Sequence, residues 1–352
     1  MPVNKQIHLD NRPEGEATLS NFKLVTGETP AIADNQVLVR HHYMSLDPYM
    51  RGRMNDSKSY TANQPTGAVF GGGTVGEIVE SKHPKYQVGD KVVGFGGWQE
   101  YSVVDATVPG SLRKVDTTHV PLSHYLGAVG MPGVTAWYGL VKIIAPKEGE
   151  TLVITAASGA VGSAFGALAK ARGCRVVGIA GGADKCKYVT EELGFDACID
   201  YKQHPDVKSM SAALKEACPK GIDGYFENVG GYIFDAVMLR LNAFARIALC
   251  GMIAGYDGAP LPLANPALFL INRVKLEGFI VSEHMEVWPE ALSELGGLVG
   301  SGKLKPRESV AQGIEAAPEA FLGLLDAAPG QQHGRGTGPA AAARTRPTTK
   351  EP

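Results

Sequence analysis

The chain has 352 residues, of which 44% are hydrophobic and 20% charged, and its formal net charge is −2. This length allows about two domains that each bury a core, and the near-zero charge argues against nucleic-acid or anionic-membrane partners. No segment has the roughly 20 mostly apolar residues that a membrane-spanning helix needs. Residues 1–15 contain no apolar signal segment, and the five cysteines include no C-x-x-C pair. We therefore expect a reduced, cytoplasmic chain without a disulfide framework.

The first 125 residues predict a β-rich domain. Three segments alternate apolar and polar residues over short lengths, and turn signals with glycine and proline separate them. These segments are "NQVLVRHHYMSLDPYMRGRM", "GAVFGGGTVGEIVES" and "VGDKVVGFGGWQEYSVVD". The pattern predicts a small β-barrel or sandwich over residues 1–125.

Strands and helices alternate from about residue 126 to residue 300. The strand-like "TLVITAA" precedes the helix-like "AVGSAFGALAKARG", and "RVVGIAGG" precedes "DKCKYVTEELG". Further apolar segments follow at "GIDGYFENVGG", "ARIALCGM" and "VKLEGFIVSE". Such alternation predicts an α/β domain with a Rossmann-type, doubly wound parallel sheet over residues 126–300. Residues 301–325 return the chain to the first domain.

Residues 326–352 differ in composition from the rest of the chain. They contain no Leu, Ile, Val or aromatic residue, and Ala, Gly, Pro and Thr predominate. Such a segment buries too little apolar surface to offset the entropy lost on ordering. We therefore predict a disordered tail over residues 326–352.

The segment "TAASGAVG" lies between a predicted strand and a predicted helix. Small residues permit a tight turn there, close approach of the backbone to a pyrophosphate, and close packing of helix on strand, while the helix N-terminus attracts phosphate. Ala157, Gly159 and Gly162 take the positions of the pattern G-x-G-x-x-G. The alternative is a Gly-rich turn with a purely structural role. The residues predicted to bind the cofactor here are Ala157, Ser158, Gly159, Ala160, Val161 and Gly162.

The end of the next predicted strand indicates which dinucleotide binds. NAD sites usually carry Asp or Glu about 20 residues after the glycines, where it holds the ribose 2′-hydroxyl. Here Gly181 and Gly182 occupy that place, and Lys185 follows. Glycine leaves room for a 2′-phosphate and lysine can neutralise it, which favours NADP(H) over NAD(H). Taken alone, Lys185 could equally be a solvated residue on a helix surface.

The domain order and the segment "VGDKVVGF…EYSVVD" resemble the medium-chain dehydrogenases and reductases, which implies a GroES-like catalytic domain before the Rossmann domain. Zinc-containing members carry an early cysteine, a Gly-His-Glu segment and a four-cysteine lobe. The corresponding segments here read "MSLDPYMRG" and "AVFGGGTVGE". They supply no thiolate or imidazole for a tetrahedral zinc site, so we expect no metal.

The chain most resembles the zinc-independent, NADPH-dependent alkenal/one reductases, a group that includes prostaglandin and curcumin reductases. The resemblance extends from about residue 5 to residue 325 and rests on stretches such as "SLDPYMRGRM", "GMPGVTAWYGL", "AASGAVGS", "FENVGG", "CGMIAGYDG" and "LEGFIVSE". It implies a homodimer that transfers hydride from NADPH to the β-carbon of a small hydrophobic α,β-unsaturated aldehyde or ketone. Quinone reduction and non-catalytic NADPH binding are the alternatives.

The resemblance also implies roles for individual residues. Tyr256 would stabilise or protonate the enolate that hydride addition leaves, because a phenol with its usual pKa of about 10 is protonated at neutral pH. Tyr49 would act beside it in the substrate pocket. Either tyrosine could instead have only a packing role. Contacts with the cofactor are implied for Tyr201, Asn228, Cys250, Phe279 and Ser282.

One departure from this group concerns the C-terminus. Members continue after the "GLL" helix with a turn whose asparagine reaches the cofactor, and then with a final strand. Here "FLGLL" is followed by "DAAPGQQHGRGTGPAAAARTRPTTKEP", which predicts neither. We therefore expect the last strand of the first domain and one cofactor contact to be missing.

Overall fold

The computed structural model describes residues 2–258, 260–326 and 342–346. The strands are β1 (Val3–Leu9), β2 (Phe22–Glu28), β3 (Gln36–Leu46), β4 (Thr74–Ser81), β5 (Lys91–Gly94), β6 (Tyr101–Asp105), β7 (Leu112–Lys114), β8 (Thr151–Thr155), β9 (Arg175–Ala180), β10 (Ala197–Asp200), β11 (Ile222–Glu227), β12 (Leu241–Leu249), β13 (Lys275–Gly278), β14 (Glu308–Gln312) and β15 (Ala342–Arg346).

The α-helices are α1 (Tyr49–Arg53), α2 (Met131–Tyr138), α3 (Ala160–Ala171), α4 (Ala183–Lys187), α5 (Val207–Ala217), α6 (Gly231–Met238), α7 (Ala267–Ile271), α8 (Trp288–Gly300) and α9 (Ala317–Asp326). Shorter 3₁₀ and π-helical turns occupy Leu19–Asn21, Leu122–Leu126, Gly139–Ile144, Tyr188–Glu192, Tyr201–Gln203, Ile253–Gly255, Val281–Glu283, Met285–Val287 and Ile314–Ala316. None of the described helices has the length and apolar character needed to cross a membrane.

Six parallel strands form the predicted Rossmann sheet. Their order is β10-β9-β8-β11-β12-β13, and every neighbouring pair is parallel. The chain therefore enters the sheet at the central strand β8 and adds β9 and β10 on one side. It then returns to the centre and adds β11, β12 and β13 on the other side. Sheets of this kind bind ligands beyond the carboxyl ends of the strands, where the order reverses between β8 and β11. The predicted α/β class and doubly wound sheet are confirmed.

Both faces of β8 are covered, which explains why its three central residues are all apolar. Leu152 and Ile154 pack into a core shared with α2, α3 and α8. Val153 packs into the opposite core, shared with α5 and α6. Because successive side chains of a strand point to opposite faces, this one strand holds helices on both sides of the sheet and fixes the position of the loop that follows it.

The other large sheet is built around β3, which pairs with β4, β6 and β15. The full order is β14-β15-β3-β4-β5-β7, with β6 also beside β3. An aromatic cluster that includes Phe70, Trp98 and Phe321 fills the adjoining core. The rings of Trp98 and Phe321 meet edge to face, with centroids 5.6 Å apart. Since Phe321 lies on α9 and β14 joins this sheet, the segment after α8 packs with the β-rich part of the chain.

The expectation that no strand follows α9 is wrong. α9 continues to Asp326, and β15 (Ala342–Arg346) lies between β14 and β3, parallel to the first and antiparallel to the second. Ladder hydrogen bonds come from the main chain, so a segment without large apolar side chains can complete a sheet whose neighbours offer unpaired backbone groups. The prediction of disorder for the other tail residues, 327–341 and 347–352, lies outside the described residues.

Candidate active site

The loop between β8 and α3 forms the centre of the site. Ala157 is buried at the end of the strand, and Gly159 caps the N-terminus of α3. A Cβ added at Gly162 would lie 2.5 Å from the carbonyl oxygen of Ala157, so only glycine lets the helix approach the strand this closely. N–H groups in the first turn of a helix have no intrahelical acceptor, which suits them to bind phosphate. The turn is completed by Ser158, Ala160 and Val161.

Alanine in the first position of this pattern is explained by a glycine on the neighbouring strand. A Cβ added at Gly178, on β9, would lie 2.7 Å from the Cβ of Ala157. Real Cβ atoms do not approach this closely, so the missing side chain at Gly178 makes room for the methyl group of Ala157. Sequence reasoning missed Gly178, because its closeness to Ala157 depends on the pairing of β8 with β9, in which Gly178 lies opposite Ile154.

Two glycines end β9 and form a corner of the site. Gly182 has a φ of 96°, a conformation that favours glycine, and its N–H donates to the Asp200 carboxylate at 2.7 Å. Gly181 lies under the ring of Tyr201, since a Cβ there would be 2.7 Å from the phenol oxygen. Burial raises the pKa of Tyr201 to about 12, so its hydroxyl remains a donor at neutral pH.

Lys185 lies at the same corner, on α4. Its pKa is lowered by burial and by the positive charge of Lys202. Among the described residues, neither lysine forms an ion pair with a carboxylate. The Asp200 carboxylate at the same corner accepts from the backbone N–H groups of Gly182 and Lys202 rather than from either ammonium group. The two neighbouring ammonium groups can therefore attract a phosphate group.

Asn228 is held beside the phosphate loop by the end of β8. Its side-chain amide donates to the carbonyl oxygen of Thr155 at 2.9 Å, and its backbone N–H donates to the Thr155 hydroxyl at 2.8 Å. That hydroxyl donates in turn to the fully buried carboxylate of Glu227 at 2.9 Å. Glu227 also accepts from the N–H of Gly230 at 3.0 Å. Sequence reasoning missed Glu227, a buried carboxylate that fixes the loop carrying Asn228.

Cys250 and Phe279 follow the ends of β12 and β13. The N–H of Cys250 donates to the carbonyl oxygen of Glu227 at 2.9 Å, and that of Phe279 to the carbonyl oxygen of Leu249 at 3.4 Å. Both residues therefore lie at the carboxyl edge of the sheet, as Asn228 does. Burial raises the pKa of the Cys250 thiol to about 12, so it stays protonated.

Ser282 is the predicted residue with the weakest connection to the others. It is exposed, in the short turn Val281–Glu283. The described residues show no hydrogen bond between Ser282 and the other predicted site residues. Phe279, three positions earlier, is buried, so its side chain packs within the site more closely than that of Ser282.

Tyr256 follows a single helical turn after β12, Ile253–Gly255. A Cβ added at Gly251 would lie 3.1 Å from the Tyr256 hydroxyl oxygen and 3.4 Å from the carbonyl oxygen of Asn228. The phenol therefore points back toward the carboxyl edge of the sheet, beside the loop that carries Asn228. This places a hydroxyl donor next to the predicted cofactor site.

Tyr49 and Tyr256 belong to a cluster that includes a third tyrosine, Tyr60. Burial raises the pKa of Tyr256, and the nearby Tyr60 and Cys250 raise it further. Burial also raises the pKa of Tyr49; the negative charge of Asp47 raises it further, the positive charge of Arg53 lowers it, and the nearby Tyr60 raises it slightly. All these phenols are therefore protonated at neutral pH and able to donate. Tyr60 was missed because its loop carries no helix or strand pattern that would place it.

A buried ion pair connects the Tyr256 loop to the β-rich part of the chain. Arg51, on α1, is only 1% exposed, and its Nε donates to Asp257 Oδ1 at 2.8 Å. Its other nitrogens donate to Asn55 Oδ1 at 2.7 Å and to the carbonyl oxygen of Gly15. Asp257 directly follows Tyr256, so this contact holds the tyrosine's loop against α1.

Two family models match the chain. One, described as "N-terminal domain of oxidoreductase", matches residues 5–112, and the other, described as "Zinc-binding dehydrogenase", matches residues 160–296. Within the part of the chain that the structure describes, no group of three or more His, Cys, Asp or Glu side chains could hold a metal ion. The NADPH-dependent curcumin reductase of Escherichia coli is 45% identical, over 92% of this chain and 93% of the relative.

The chain belongs to the medium-chain dehydrogenase/reductase family. Within this family, the NADP⁺-dependent 2-alkenal reductase of Nicotiana tabacum is 40% identical, over 92% of this chain and 94% of the relative. The crystal structure of CurA from Vibrio vulnificus in complex with NADPH is 41% identical and superposes with a TM-score of 0.88, covering 98% of this chain and 99% of that one. The resemblance to the double-bond reductases of this family is confirmed.

Proposed function

We propose that this protein is an NADPH-dependent reductase of the C=C bond in α,β-unsaturated aldehydes and ketones. The single observation that carries the proposal is the protonated Tyr256 hydroxyl at the carboxyl edge of the parallel sheet, where it lies 3.1 Å from the position of a Cβ at Gly251 and close to Tyr60 and Cys250. Relatives that are 40–45% identical and are named as curcumin and 2-alkenal reductases support it. The same relatives favour double-bond reduction over quinone reduction or non-catalytic binding.

The residues at the carboxyl edge fit NADP(H). Residues 157–162 would hold the pyrophosphate, because they form a turn of small residues at the N-terminus of α3, whose first N–H groups have no intrahelical acceptor. Gly181, Gly182, Lys185 and Tyr201 would hold the 2′-phosphate, since Lys185 and Lys202 lie close together there and glycines stand in the sequence positions where NAD sites carry an acidic residue. The nicotinamide side would be formed by Asn228, Cys250, Phe279 and Ser282. When bound, NADPH supplies the hydride that reaches the substrate's β-carbon.

The chain's own catalytic contribution is a positioned proton donor. Hydride addition to the β-carbon leaves negative charge on the carbonyl oxygen, and a donor aimed at that oxygen lowers the barrier. Burial keeps the Tyr256 phenol protonated, so its O–H can donate to the enolate oxygen at neutral pH. Tyr49 would orient the substrate carbonyl beside it. The aromatic rings beside the two hydroxyl groups suit a small, apolar substrate.

We also propose that the protein is a cytoplasmic homodimer. β13 ends the parallel sheet, and exposed apolar side chains lie on and just before it: Leu270 is 80%, Ile271 58% and Leu276 36% exposed. An open strand edge with apolar neighbours is a surface that a second copy can cover. The five free cysteines are consistent with a reducing compartment. Light scattering should give twice the 37.2 kDa mass of one chain, and a monomer would contradict the proposal.

The activity test follows NADPH absorbance with trans-2-hexenal and 3-buten-2-one, with a quinone in parallel and ethanol plus NADP⁺ as control. We expect NADPH loss with both enones, formation of the saturated carbonyl compounds, and no ethanol oxidation. Turnover of the quinone alone would favour the quinone reductase alternative. NADPH binding without any turnover would favour a non-catalytic role.

A further inference from the structure

A pair of cysteines lies beside the phosphate corner without a role in the proposed reaction. Cys186 is on α4, and Cys198 is on the edge strand β10. The thiol of Cys198 donates to the sulfur of Cys186 across 2.9 Å. Both residues are partly exposed, whereas Cys174 and Cys218 are buried. The pair is therefore accessible to small reagents, and its two sulfur atoms are already in contact.

We propose that Cys186 and Cys198 are a covalent modification site, at which a peroxide forms a reversible disulfide that weakens NADPH binding. In the first step the Cys186 sulfur attacks hydrogen peroxide, the O–O bond breaks, and a sulfenic acid and water are formed. In the second step the Cys198 sulfur attacks Cys186, the S–S bond forms, the S–O bond breaks, and a second water leaves. Two thiols are oxidised and one peroxide is reduced to two waters.

The environment of the pair assigns the order of these steps. The hydrogen bond from Cys198 lowers the pKa of Cys186, and the same contact together with burial raises the pKa of Cys198. The thiolate is the nucleophilic form of cysteine, so Cys186 reacts with the peroxide first. Cys198, which keeps its proton longer and lies in contact, then resolves the sulfenic acid.

The disulfide would change the phosphate corner because both cysteines are joined to it. Lys185 directly precedes Cys186, and Tyr201 follows Cys198 by three residues. Forming the bond shortens the sulfur–sulfur separation from 2.9 Å to about 2.05 Å, which shifts α4 relative to β10. Charge-assisted hydrogen bonds to a phosphate depend on short, fixed distances. This consequence rests on the proposed use of NADPH; the disulfide itself does not.

The experiment treats the full-length protein with graded hydrogen peroxide and maps disulfides by mass spectrometry of peptides. We expect a Cys186–Cys198 peptide pair, reversed by dithiothreitol, and absent in Cys186→Ser and Cys198→Ser. The matched control Cys218→Ser should still form the pair. Oxidised wild-type protein should bind NADPH about tenfold more weakly, as expected for the loss of one charged hydrogen bond to the 2′-phosphate. NADH affinity should stay unchanged because NADH lacks the 2′-phosphate. The Cys186→Ser protein should show no such change.

Each outcome has a separate meaning. If peroxide produces sulfinic acid or other pairings but no Cys186–Cys198 disulfide, the modification site is wrong. If the disulfide forms and the Kd for NADPH stays the same, its effect on the phosphate corner is wrong. Lys185→Ala in reduced protein tests the proposed cofactor site separately: an unchanged NADPH Kd there would contradict the 2′-phosphate assignment while leaving the mapped disulfide intact.

Discussion

The Tyr256 hydroxyl is the group on which the proposed chemistry depends most. Replacing it with phenylalanine keeps the ring and removes the donor to the enolate oxygen. We expect Tyr256→Phe to lower kcat about 100-fold, while the Kd for NADPH stays within about twofold because the ring packing is retained. Stopped-flow or steady-state absorbance with trans-2-hexenal measures the first quantity, and fluorescence titration measures the second.

A matched control for this substitution is Tyr101→Phe, on β6, whose hydroxyl makes no hydrogen bond among the described residues. The Tyr101→Phe variant should retain wild-type kcat.

The raised pKa of Tyr256 predicts how kcat depends on pH. Because the phenol stays protonated, its titration should cause no fall in kcat below about pH 10. Wild-type kcat in Tyr256→Phe would contradict its role as donor.

The buried imidazole of His41 makes stability depend on pH. Its ring nitrogens lie 2.7 Å from the carbonyl oxygen of Gln99 and 2.8 Å from the Ser102 hydroxyl, and burial lowers its pKa from 6.5 to about 4. Between pH 6.5 and pH 4 the imidazole of His41 is protonated in the unfolded state but neutral in the folded state. The free energy of unfolding is therefore highest above pH 6.5, and it falls by about 3 kcal/mol as the pH is lowered to 4.

Urea denaturation at pH 7 and pH 4.5 measures this dependence. His41→Gln retains hydrogen-bonding atoms but no group that titrates here, so its free energy of unfolding should fall less between the two pH values. The same decrease in both proteins would show that His41 is not its source.

Among the secondary-structure elements, α3 and β8 depend on one another through Gly162. Because a Cβ there would be 2.5 Å from the carbonyl oxygen of Ala157, Gly162→Ala forces the helix away from the strand. We expect the free energy of unfolding to fall by about 1–3 kcal/mol and NADPH binding to weaken with it. Urea denaturation and NADPH titration measure the two effects.

Gly297→Ala is the matched control, since a Cβ at Gly297, on α8, would contact nothing within 4 Å. Alanine is the better helix former, so this variant should be unchanged or more stable by up to about 1 kcal/mol. Equal destabilisation by both substitutions would mean that the close contact at Gly162 is not the cause.

Most elements could be predicted because their hydrophobic patterns are local. β8 has three consecutive apolar residues between two buried threonines, as expected for a strand covered on both faces, and α3 begins at the predicted glycine turn. The strand β15 could not be predicted. Its sequence has the composition of a disordered tail, and it pairs only because β3 and β14 are already positioned on either side of it.

At the scale of the whole molecule, the Arg51–Asp257 ion pair links the two parts that form the site. Asp257→Asn removes the charge but keeps the shape of the side chain. We expect kcat for trans-2-hexenal to fall about tenfold, because losing a charged hydrogen bond worth roughly 1.5 kcal/mol or more loosens the Tyr256 loop. NADPH affinity should change little, since the phosphate corner lies on other loops. Enone kinetics and NADPH titration check both.

The exposed Glu319→Gln, on α9, is the control for this loss of one negative charge, and it should leave kcat unchanged. If Asp257→Asn lowers the melting temperature but not kcat, the ion pair stabilises the fold without positioning Tyr256. Arg51→Lys keeps the positive charge but cannot donate to Asp257, Asn55 and Gly15 together. Its kcat should lie between those of the wild type and Asp257→Asn.

The sequence alone is enough to predict the glycine turn before α3 and the use of NADP(H), because each prediction rests on spacing within one short segment: residues 157–162 after a strand, and Lys185 after Gly181 and Gly182. Folding was needed to bring Tyr60 to Tyr256 and to pair Arg51 with Asp257, which is 206 positions away. Contacts between residues so far apart depend on how the two sheets pack together, and no local pattern encodes that packing.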